Sequence, residues 1–479
     1  MKPTLLSFLI AGSILLGLAA QSPTQPPEAA TGFDDQSNGF SDPVRRIADE
    51  KFFDEVEHIV PDGLGPLYNA QSCRECHQTP VSGAASQVTE LRVGHLDAHH
   101  QFQTPEIPIN HGAEIIKDRN LVNDRAICPE IQERVPETET VRTTRLATNT
   151  LGDGYVEAIP DETLLKIRKD QCKASRGKIC GQAVKVLVPE SEGADRIGRF
   201  GWKDQHASLL AFAADAYLNE MGITSRLQPT EVTTACNPPV TTIIPNTDTT
   251  KITEPNSLPD PTDNNLEDID HFASFMRSLK APARDPATTP EVMQGAQLFT
   301  KIGCASCHVD TIVTGKSPAA PGGPGLHPDA LENRTIHPYS DFLLHNVGTG
   351  DGISIALIEH FGRKRIEKRM RELEGARAGT QRPPKGKPED ECSESYQTAV
   401  LEGEKHPDLL RDTLCARNKI RTAPLWGLRV RSRLMHDGAS VEFSEAIRRH
   451  QGEAEEVTER FLKLKPAEKK ALLAFLQSL

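Results

Sequence analysis

Two five-residue motifs in the 479-residue sequence hold the side chains that are best suited to chemistry. CRECH and CASCH each place two thiols three positions apart, with a histidine directly after the second thiol. This spacing is typical of covalent c-type haem attachment, in which the thiols add to the two haem vinyl groups and the histidine binds the iron. The sequence therefore predicts two covalently bound c-type haems. Their attachment residues are Cys73, Cys76 and His77 in the first motif, and Cys304, Cys307 and His308 in the second.

Two other uses of a C-x-x-C pair fit the surroundings less well. A structural zinc site would need a second Cys/His pair at ordinary spacing near each motif, and neither motif has one. A redox dithiol of the thioredoxin kind would need a strand–helix–strand context, which the neighbouring sequence lacks. We therefore favour haem attachment, with His77 and His308 as ligands of the two irons.

The N-terminus predicts that the protein is exported. Lys2 precedes an apolar run, Leu5–Leu18, and the small residues Ala19 and Ala20 follow, which is the pattern of a signal peptide over residues 1–20. An uncleaved anchor is the alternative, although the run is short for a helix that spans a membrane. We expect a periplasmic protein with a Sec-type signal peptide and no membrane span after processing.

Six cysteines lie outside the two motifs and fit an oxidising compartment. They allow up to three disulfides, or else free buried thiols, and the sequence does not fix the pairing. We expect Cys172–Cys180 and Cys392–Cys415, because each pair closes a short local loop.

Composition and hydrophobic spacing predict a mainly α fold with two cytochrome c-like haem domains, long loops and few short strands. The segment 21–35 is rich in Pro, Gln and Thr, so we predict a disordered linker there. The haem domains are predicted over 36–280, with insertions, and over 281–479. Each closes on a similar amphipathic helix that carries F-x-x-S-L, at Phe275–Leu279 and at Phe475–Leu479.

Other segments share the apolar spacing of a helix. They are Asp161–Lys169, Ser208–Met221, Glu291–Lys301, Ile355–Glu374 and Ala467–Leu479. The helix before CASCH, with Gly295 and Phe299, is similar to the helix that crosses the C-terminal helix in class I cytochromes c. A strand-like run covers Ala183–Val188.

The motifs taken together resemble a known family. GLGPLYNAQSCRECH, GRFGWKDQ, GCASCH, YSDFLLHNVG and TAPLWGLRVRSRLMHDGAS extend over nearly all of the chain after the signal peptide. They are similar to the bacterial di-haem oxidoreductases often labelled thiol oxidoreductases. More distantly, both halves resemble di-haem cytochrome c peroxidases and the di-haem enzyme that matures methylamine dehydrogenase.

The resemblance implies a sixth ligand for the second haem. His450, in EAIRRHQG, stands where the peroxidases carry the distal ligand of the electron-transferring haem. We therefore expect His308 and His450 to bind the same iron, which would suit electron transfer. Met435 is the rival ligand, and a solvated histidine at a helix end is the alternative for His450.

The first haem is predicted to have an open or labile sixth position. Asp204 lies 127 residues after His77 and Asp437 lies 129 after His308, so the two halves can be aligned on these aspartates. Thirteen residues further on, the first half has Tyr217 where the second has His450, and Glu220 follows in an E-M-G segment like that of the peroxidases. There Glu220 would serve as acid and base toward bound peroxide. Met221 is an alternative ligand, and an exposed glutamate at a helix end is the alternative reading of Glu220. One histidine of the following loop is a further candidate ligand; these are His95, His99, His100 and His111.

The resemblance also implies roles for groups between and beside the haems. Trp202 aligns with a tryptophan that lies between the two haems and relays electrons, although a tryptophan is more often part of a core. His436 and Arg433 resemble groups near haem propionates, and Arg429 and Arg431 add positive charge nearby. A solvated basic face is the alternative for the last two.

The predicted function is that of a di-haem oxidoreductase of peroxidase type, in which the C-terminal haem feeds a more open N-terminal haem. A non-catalytic di-haem electron-transfer protein and a thiol- or protein-oxidising factor are the alternatives. We expect a small redox protein or a quinol-linked donor or acceptor as partner, and a small-molecule oxidant or reductant as substrate. The net charge of −12 argues against nucleic acid as a partner.

Overall fold

The computed structural model describes residues 25–98, 102–191, 194–236, 259–260, 263–286, 288–316, 322–355 and 416–479. Within this part of the chain, about 33% of the residues are helical and about 16% are in strands or bridges. The helices in chain order are α1 Pro43–Asp54, α2 Cys73–Cys76, α3 Asp153–Glu157, α4 Asp161–Ala174, α5 Leu209–Met221, α6 Asp268–Ser278, α7 Pro290–Ile302, α8 Phe443–Arg448, α9 Glu455–Lys463 and α10 Pro466–Gln477.

The strands are short, as predicted, but they are more numerous than the sequence indicates. They are β1 Leu67–Tyr68, β2 Thr89–Leu96, β3 Phe102–Gln103, β4 Ile107–Ile109, β5 Glu114–Ile116, β6 Leu121–Val122, β7 Arg125–Ala126, β8 Val141–Leu146, β9 Lys185–Leu187, β10 Asp195–Ile197, β11 Ile312–Val313, β12 Thr335–Ile336, β13 Leu344–His345 and β14 Ile420–Arg421. The longest, β2, pairs antiparallel with β8, β3 and β6 to form a four-stranded sheet in the long segment after CRECH.

Two crossed helix pairs stand beside the two motifs and share one packing pattern. In the first pair α1 packs on α6, and the rings of Phe53 and Phe275 lie 4.7 Å apart. In the second pair α7 packs on α10, and the rings of Phe299 and Phe475 lie 5.3 Å apart. At Gly295 a side chain would meet the carbonyl oxygen of Ala471 at 2.0 Å, so α7 and α10 approach closely only because this residue is glycine. The crossing expected from the sequence is thus present.

Most predicted helices are found with nearly the predicted bounds. Ser208 caps α5 by accepting a hydrogen bond from the backbone N–H of Ala211, and Thr289 caps α7 in the same way through Val292. Most of the segment Ile355–Glu374, predicted as a helix, lies outside the described residues, as do the signal peptide and its alternative, the uncleaved anchor. Among the described residues, no helix has both the length and the apolarity needed to cross a membrane.

The prediction of disorder for 21–35 is wrong for residues 28–35. The backbone N–H of Ala29 donates to the carbonyl of Thr335 at 2.9 Å, and that of Gly32 donates to the carbonyl of Ala281 at 3.0 Å. The polar composition of this segment predicts disorder, but its backbone finds partners on loops far along the chain. Long-range backbone pairing of this kind leaves no periodic pattern in a sequence.

Two disulfides are present among the described cysteines. Cys172–Cys180 forms as predicted. A second disulfide joins Cys128 to Cys236, which are 108 residues apart, and the preference for short loops did not anticipate it. The predicted pair Cys392–Cys415 lies outside the described residues.

Candidate functional site

The second motif sits on a tight turn at the end of a long helix. Helix α7 ends at Gly303, whose φ of 109° lets the chain turn directly into a 3₁₀ turn over Cys304–Ser306. The thiols of Cys304 and Cys307 are unpaired although other described cysteines form disulfides. Burial raises the pKa of the Cys304 thiol to about 12. A thiol with a raised pKa is a poor nucleophile, so this environment disfavours a redox dithiol.

A cavity opens beside this turn and is lined by groups from several elements. The predicted site residues on its wall are Cys304, Cys307, His308, His450, Trp202, His436 and Arg433. Its remaining wall is largely apolar and includes Phe299 of α7 and Leu472 of α10. Residues that are up to 248 positions apart in sequence therefore converge on one cavity, from Trp202 to His450.

His308 and His450 both line this cavity with one ring nitrogen already occupied. Nδ1 of His308 is 2.9 Å from the carbonyl oxygen of Tyr339, and Nδ1 of His450 is 2.8 Å from that of Ala446, one turn earlier in α8. Each carbonyl fixes the tautomer with the proton on Nδ1, which leaves Nε2 as the nitrogen available to a metal. Burial lowers the pKa of His308 to about 4 and lowers that of His450 as well, so both rings are neutral at pH 7, as ligands must be.

Other donors on the wall fit the carboxylates of a haem. Nδ1 of His436 and Nε of Arg431 are buried and have no hydrogen-bond partner within the described structure. Nε of Arg421 is also buried without a hydrogen bond, although it lies 3.9 Å from Oδ1 of Asp204. Buried donors without a partner are costly, and a bound anion would satisfy them. The sequence reasoning missed Arg421, which is one of three cations in the segment ARNKIR and has no feature there that marks it as buried.

The other arginines near the second site differ in role. Arg433 is exposed and donates to the carbonyl of Gly438 at 3.1 Å from the edge of the cavity. Arg429 donates to the carbonyls of Ala283 and Leu479 and lies over the ring of Phe33. The expectation that Arg429 adds charge beside the haem is therefore wrong, because its guanidinium ties down the C-terminus. Met435, the rival ligand, also lines the cavity.

His345, to which the sequence assigned no role, contacts two carboxylates and a thiol of the second motif. Its Nε2 is 2.8 Å from Asp341 and its Nδ1 is 2.9 Å from Glu453, and Sγ of Cys307 lies 3.8 Å from the same Nδ1. Burial lowers the pKa of His345, but the Asp341 carboxylate and the sulfur of Cys307 outweigh it and raise this pKa well above its ordinary value. His345 is thus a charged group locked between two acids beside the second motif.

Trp202 is held on the wall of this cavity by two contacts. Its indole Nε1 donates to the carbonyl of Leu146 at 2.7 Å, and its ring meets the edge of His436 at 6.1 Å between centroids. The N–H of Leu146 in turn donates to the carbonyl of His436 at 2.6 Å. The indole is therefore fixed on the cavity wall, half-buried, where both a relay role and a packing role are physically possible.

The first motif forms one helical turn, α2, capped by Ser72. Cys73 and Cys76 are unpaired and half-buried, and burial raises the pKa of the Cys76 thiol to about 12. Burial also lowers the pKa of His77 to about 4, so this imidazole is neutral at pH 7. Its ring lies 6.3 Å from that of Phe53 on α1, much as His308 lies 6.2 Å from Phe299 on α7. The donor set of the first motif thus matches that of the second.

Glu220 lies close to the first motif, at the end of α5, and is half-buried. Its Oε2 accepts a hydrogen bond from Nδ2 of Asn69 at 2.7 Å, and its carboxyl group is hydrogen-bonded to that of Glu90. Burial and the neighbouring charge of Glu90 raise the pKa of Glu220 well above its ordinary value. Glu90 is held ionised by Arg92, whose Nε donates to it at 2.6 Å. Glu220 lies near enough to Cys76 that its ionised form would raise the pKa of that thiol.

The other candidate ligands of the first haem do not converge on one position in the structure. Met221 is buried in the core, and Tyr217 is buried with its hydroxyl turned to carboxylates. His95 pairs with Glu139 at 2.8 Å, His111 is exposed, and His99 and His100 lie outside the described residues. The structure therefore gives none of the described residues in this group a position that marks it as a sixth ligand.

Comparisons with known proteins identify a family for this chain. A family model described as "Di-haem oxidoreductase, putative peroxidase" matches residues 121–402 and 394–479. A comparison with curated proteins found no match.

Several solved structures also show a similarity. The diheme peroxidase BthA from Burkholderia thailandensis E264 is 14% identical, over 92% of this chain and 86% of that chain, with a TM-score of 0.35. Hydrazine synthase of Kuenenia stuttgartiensis is 18% identical, over 44% and 55%, with a TM-score of 0.22. A MauG-like protein associated with microbial copper homeostasis is 16% identical, over 44% and 52%, with a TM-score of 0.20. The match thus spans only about half the length of the last two chains.

The family model covers well over half of the sequence, including CASCH and the segments that surround both Trp202 and His450. This chain belongs to the di-haem oxidoreductase family.

Proposed function

We propose that this protein is an exported di-haem c-type oxidoreductase with two haems of different character. Cys304, Cys307 and His308 would hold a haem whose iron is also bound by His450. Cys73, Cys76 and His77 would hold the other. When bound, the haems would supply electron storage at a six-coordinate iron and a site for peroxide at an open one. The proposed organisation keeps the two cytochrome c-like units, 36–280 and 281–479, each built around one helix pair.

One observation carries the proposal for the second haem. His308 and His450 line the same cavity, and each has Nδ1 tied to a backbone carbonyl and Nε2 left for a metal. An imidazole that is oriented by a carbonyl is a well-placed ligand, because no reorientation is needed when the metal binds. Two such ligands favour an iron that exchanges electrons and binds no substrate.

Glu220 is the residue that supports chemistry at the first haem. Its raised pKa favours the protonated form, so Glu220 is suited to begin the reaction as a proton donor. This differs from the order expected from the sequence, in which Glu220 first accepts the proton of peroxide. The ionised Glu90 beside it can take up the next proton through the shared hydrogen bond. Asn69 fixes the orientation of the Glu220 carboxyl group throughout.

Trp202, His436 and Arg433 would serve the contact between the two haems. Trp202 would relay electrons between the two haems. Its indole is held in place by the carbonyl of Leu146. His436 and Arg433 would pair with haem carboxylates, together with Arg421 and Arg431. The acidic net charge suits a basic redox protein as partner.

The test is to add hydrogen peroxide to the fully oxidised and to the half-reduced protein while recording absorption and electron paramagnetic resonance spectra. The proposal predicts a high-spin signal from the first haem in at least one state and a spectral change at that haem on addition. Two low-spin haems with no response in either state would instead identify an electron-transfer protein. Reduction of the haems by a thiol panel, in stoichiometric amounts, would identify the thiol-oxidising alternative.

A further inference from the structure

Tyr217 is a buried phenol with acidic partners that the proposed function does not use. It is only 2% exposed, on the inner face of α5. Its hydroxyl donates to Oδ2 of Asp268 at 2.8 Å, and Oε1 of Glu57 lies 3.2 Å from the same oxygen. Burial raises the pKa of Glu57 to about 8, and the charge of Asp268 contributes. Glu57 is therefore protonated at neutral pH, and Asp268 is the ready acceptor of the phenolic proton.

A continuous row of aromatic rings leads from this phenol to the first motif. The ring of Tyr217 lies 5.0 Å from that of Phe272 in an edge-to-face contact. Phe272 lies 6.4 Å from Phe53, and Phe53 lies 6.3 Å from His77, the predicted iron ligand. These are contact distances for aromatic pairs, so the row has no gap. Phe53 and Phe272 belong to the crossed helix pair α1–α6, which makes the row rigid.

The surroundings of Tyr217 favour the loss of an electron together with a proton. A phenol becomes a strong acid once it is oxidised, and an unrelieved positive charge in a core is costly. Asp268 removes that cost by taking the proton over a 2.8 Å hydrogen bond. The tyrosine beside the second motif has a mixed setting. The hydroxyl of Tyr339 is hydrogen-bonded to Asp310 but also accepts from the guanidinium of Arg284 at 3.4 Å, and that positive charge opposes the loss of an electron.

We propose that Tyr217 is a redox-active tyrosine that stores one oxidising equivalent beside the haem held by CRECH. This inference rests on the proposed function, since a peroxide-oxidised haem is the natural oxidant. In the step, Tyr217 gives one electron to that haem and its phenolic proton to Oδ2 of Asp268, and a neutral phenoxyl radical remains. One electron from a donor and the proton from Asp268 restore the phenol. The store would keep the oxidising equivalent inside the protein until the second haem or a partner supplies that electron.

The experiment oxidises the holoprotein by flash-quench photochemistry with a soluble ruthenium polypyridyl complex and, separately, with hydrogen peroxide. Electron paramagnetic resonance then identifies the radical, and ring-deuterated tyrosine shows whether it is a tyrosyl. We expect a tyrosyl signal in the wild type, its loss in Tyr217→Phe, and its retention in Tyr155→Phe. Tyr155 is a matched control because it is buried in the same core and its hydroxyl accepts from the backbone N–H of Ala30.

Two further measurements keep the test decisive if a variant folds poorly. Asp268→Asn removes the proton acceptor while keeping the size of the side chain, and it should weaken and shorten the tyrosyl signal. Fluorotyrosine in place of tyrosine, in the otherwise unchanged protein, should alter the splitting of the signal.

An unchanged tyrosyl signal in Tyr217→Phe overturns the inference. So does a signal that is lost in Tyr339→Phe but kept in Tyr217→Phe, and so does a radical that comes only from tryptophan. The flash-quench arm needs no peroxide. If peroxide changes neither haem, the proposed peroxidase function fails while the role of Tyr217 is still decided by light. If only Tyr217 fails, the peroxide response remains.

Discussion

Glu220→Gln is the substitution that tests the proposed chemistry at the first haem most sharply. A glutamine keeps the shape of the side chain, its carbonyl can accept from Asn69, and its amide can donate to the ionised Glu90. The hydrogen-bond pattern is therefore kept, and the change removes only the transferable proton. A charge-neutral replacement also suits a site where burial raises the pKa of Glu220 and so disfavours its charged form.

The expected decrease in the rate of the peroxide reaction can be estimated from the role of Glu220 as a general acid. Loss of a general acid or base slows a reaction by about 10²–10⁴-fold, which corresponds to about 2.7–5.4 kcal/mol of transition-state stabilisation. We expect that decrease in the second-order rate of the peroxide reaction, followed by stopped-flow absorbance of the haem. The wild-type rate should fall as pH rises through the raised pKa of Glu220, because the acid then loses its proton, and the variant should lack that limb.

A matched control lies in the same motif. Glu75 is a half-buried carboxylate next to Cys76, but it accepts from the backbone N–H of Gln71 and is not paired with Glu90. Glu75→Gln should react with peroxide at nearly the wild-type rate. Equal rates for Glu220→Gln and the wild type would refute the acid role, and so would an equal loss in both variants.

Three other outcomes follow from the structure. His450→Ala should convert the second haem from low spin to high spin or to methionine ligation, whereas an unchanged low-spin spectrum would place the ligand elsewhere. Replacing Cys128 and Cys236 by serine opens a loop of 108 residues and should cost about 4–5 kcal/mol in unfolding by guanidinium, against almost nothing if the disulfide does not form in the exported protein. Glu57 has its pKa raised from 4.5 to about 8, so the folded protein loses stability as pH rises through this window. Glu57→Gln should therefore be more stable than the wild type by about 2–5 kcal/mol at about pH 8 and nearly equal to it at about pH 4, and equal curves at both values would contradict the raised pKa.

Local patterns explain which parts of the fold the sequence could predict. Helices such as α4, α5, α7 and α10 have clear apolar spacing and capping residues, so their bounds follow from adjacent residues. The four-stranded sheet around β2 was missed because its strands are held by partners that lie up to 57 residues away, from Thr89 to Leu146. Such pairing depends on tertiary context more than on composition.

The residues of the candidate site also divide into those with a local sequence signal and those placed only by tertiary contacts. The haem-attachment residues could be predicted from their spacing, and His450 could be predicted from the family resemblance. The roles of Arg421 and Tyr217 could not be predicted, because a buried arginine or tyrosine looks the same in sequence as an exposed one. Glu90 has no signal in the sequence: tertiary packing brings it to Glu220, and its charge favours the protonated form of Glu220.

The central claim is that the two irons differ in coordination, and electron paramagnetic resonance of the oxidised and half-reduced holoprotein tests it most directly. We predict one low-spin haem with two histidine ligands, abolished by His450→Ala and kept in His337→Ala, whose histidine is exposed. The second signal should be high spin in at least one of the two states and should respond to peroxide. Two low-spin haems in both states, both unaffected by His450→Ala, would contradict the account.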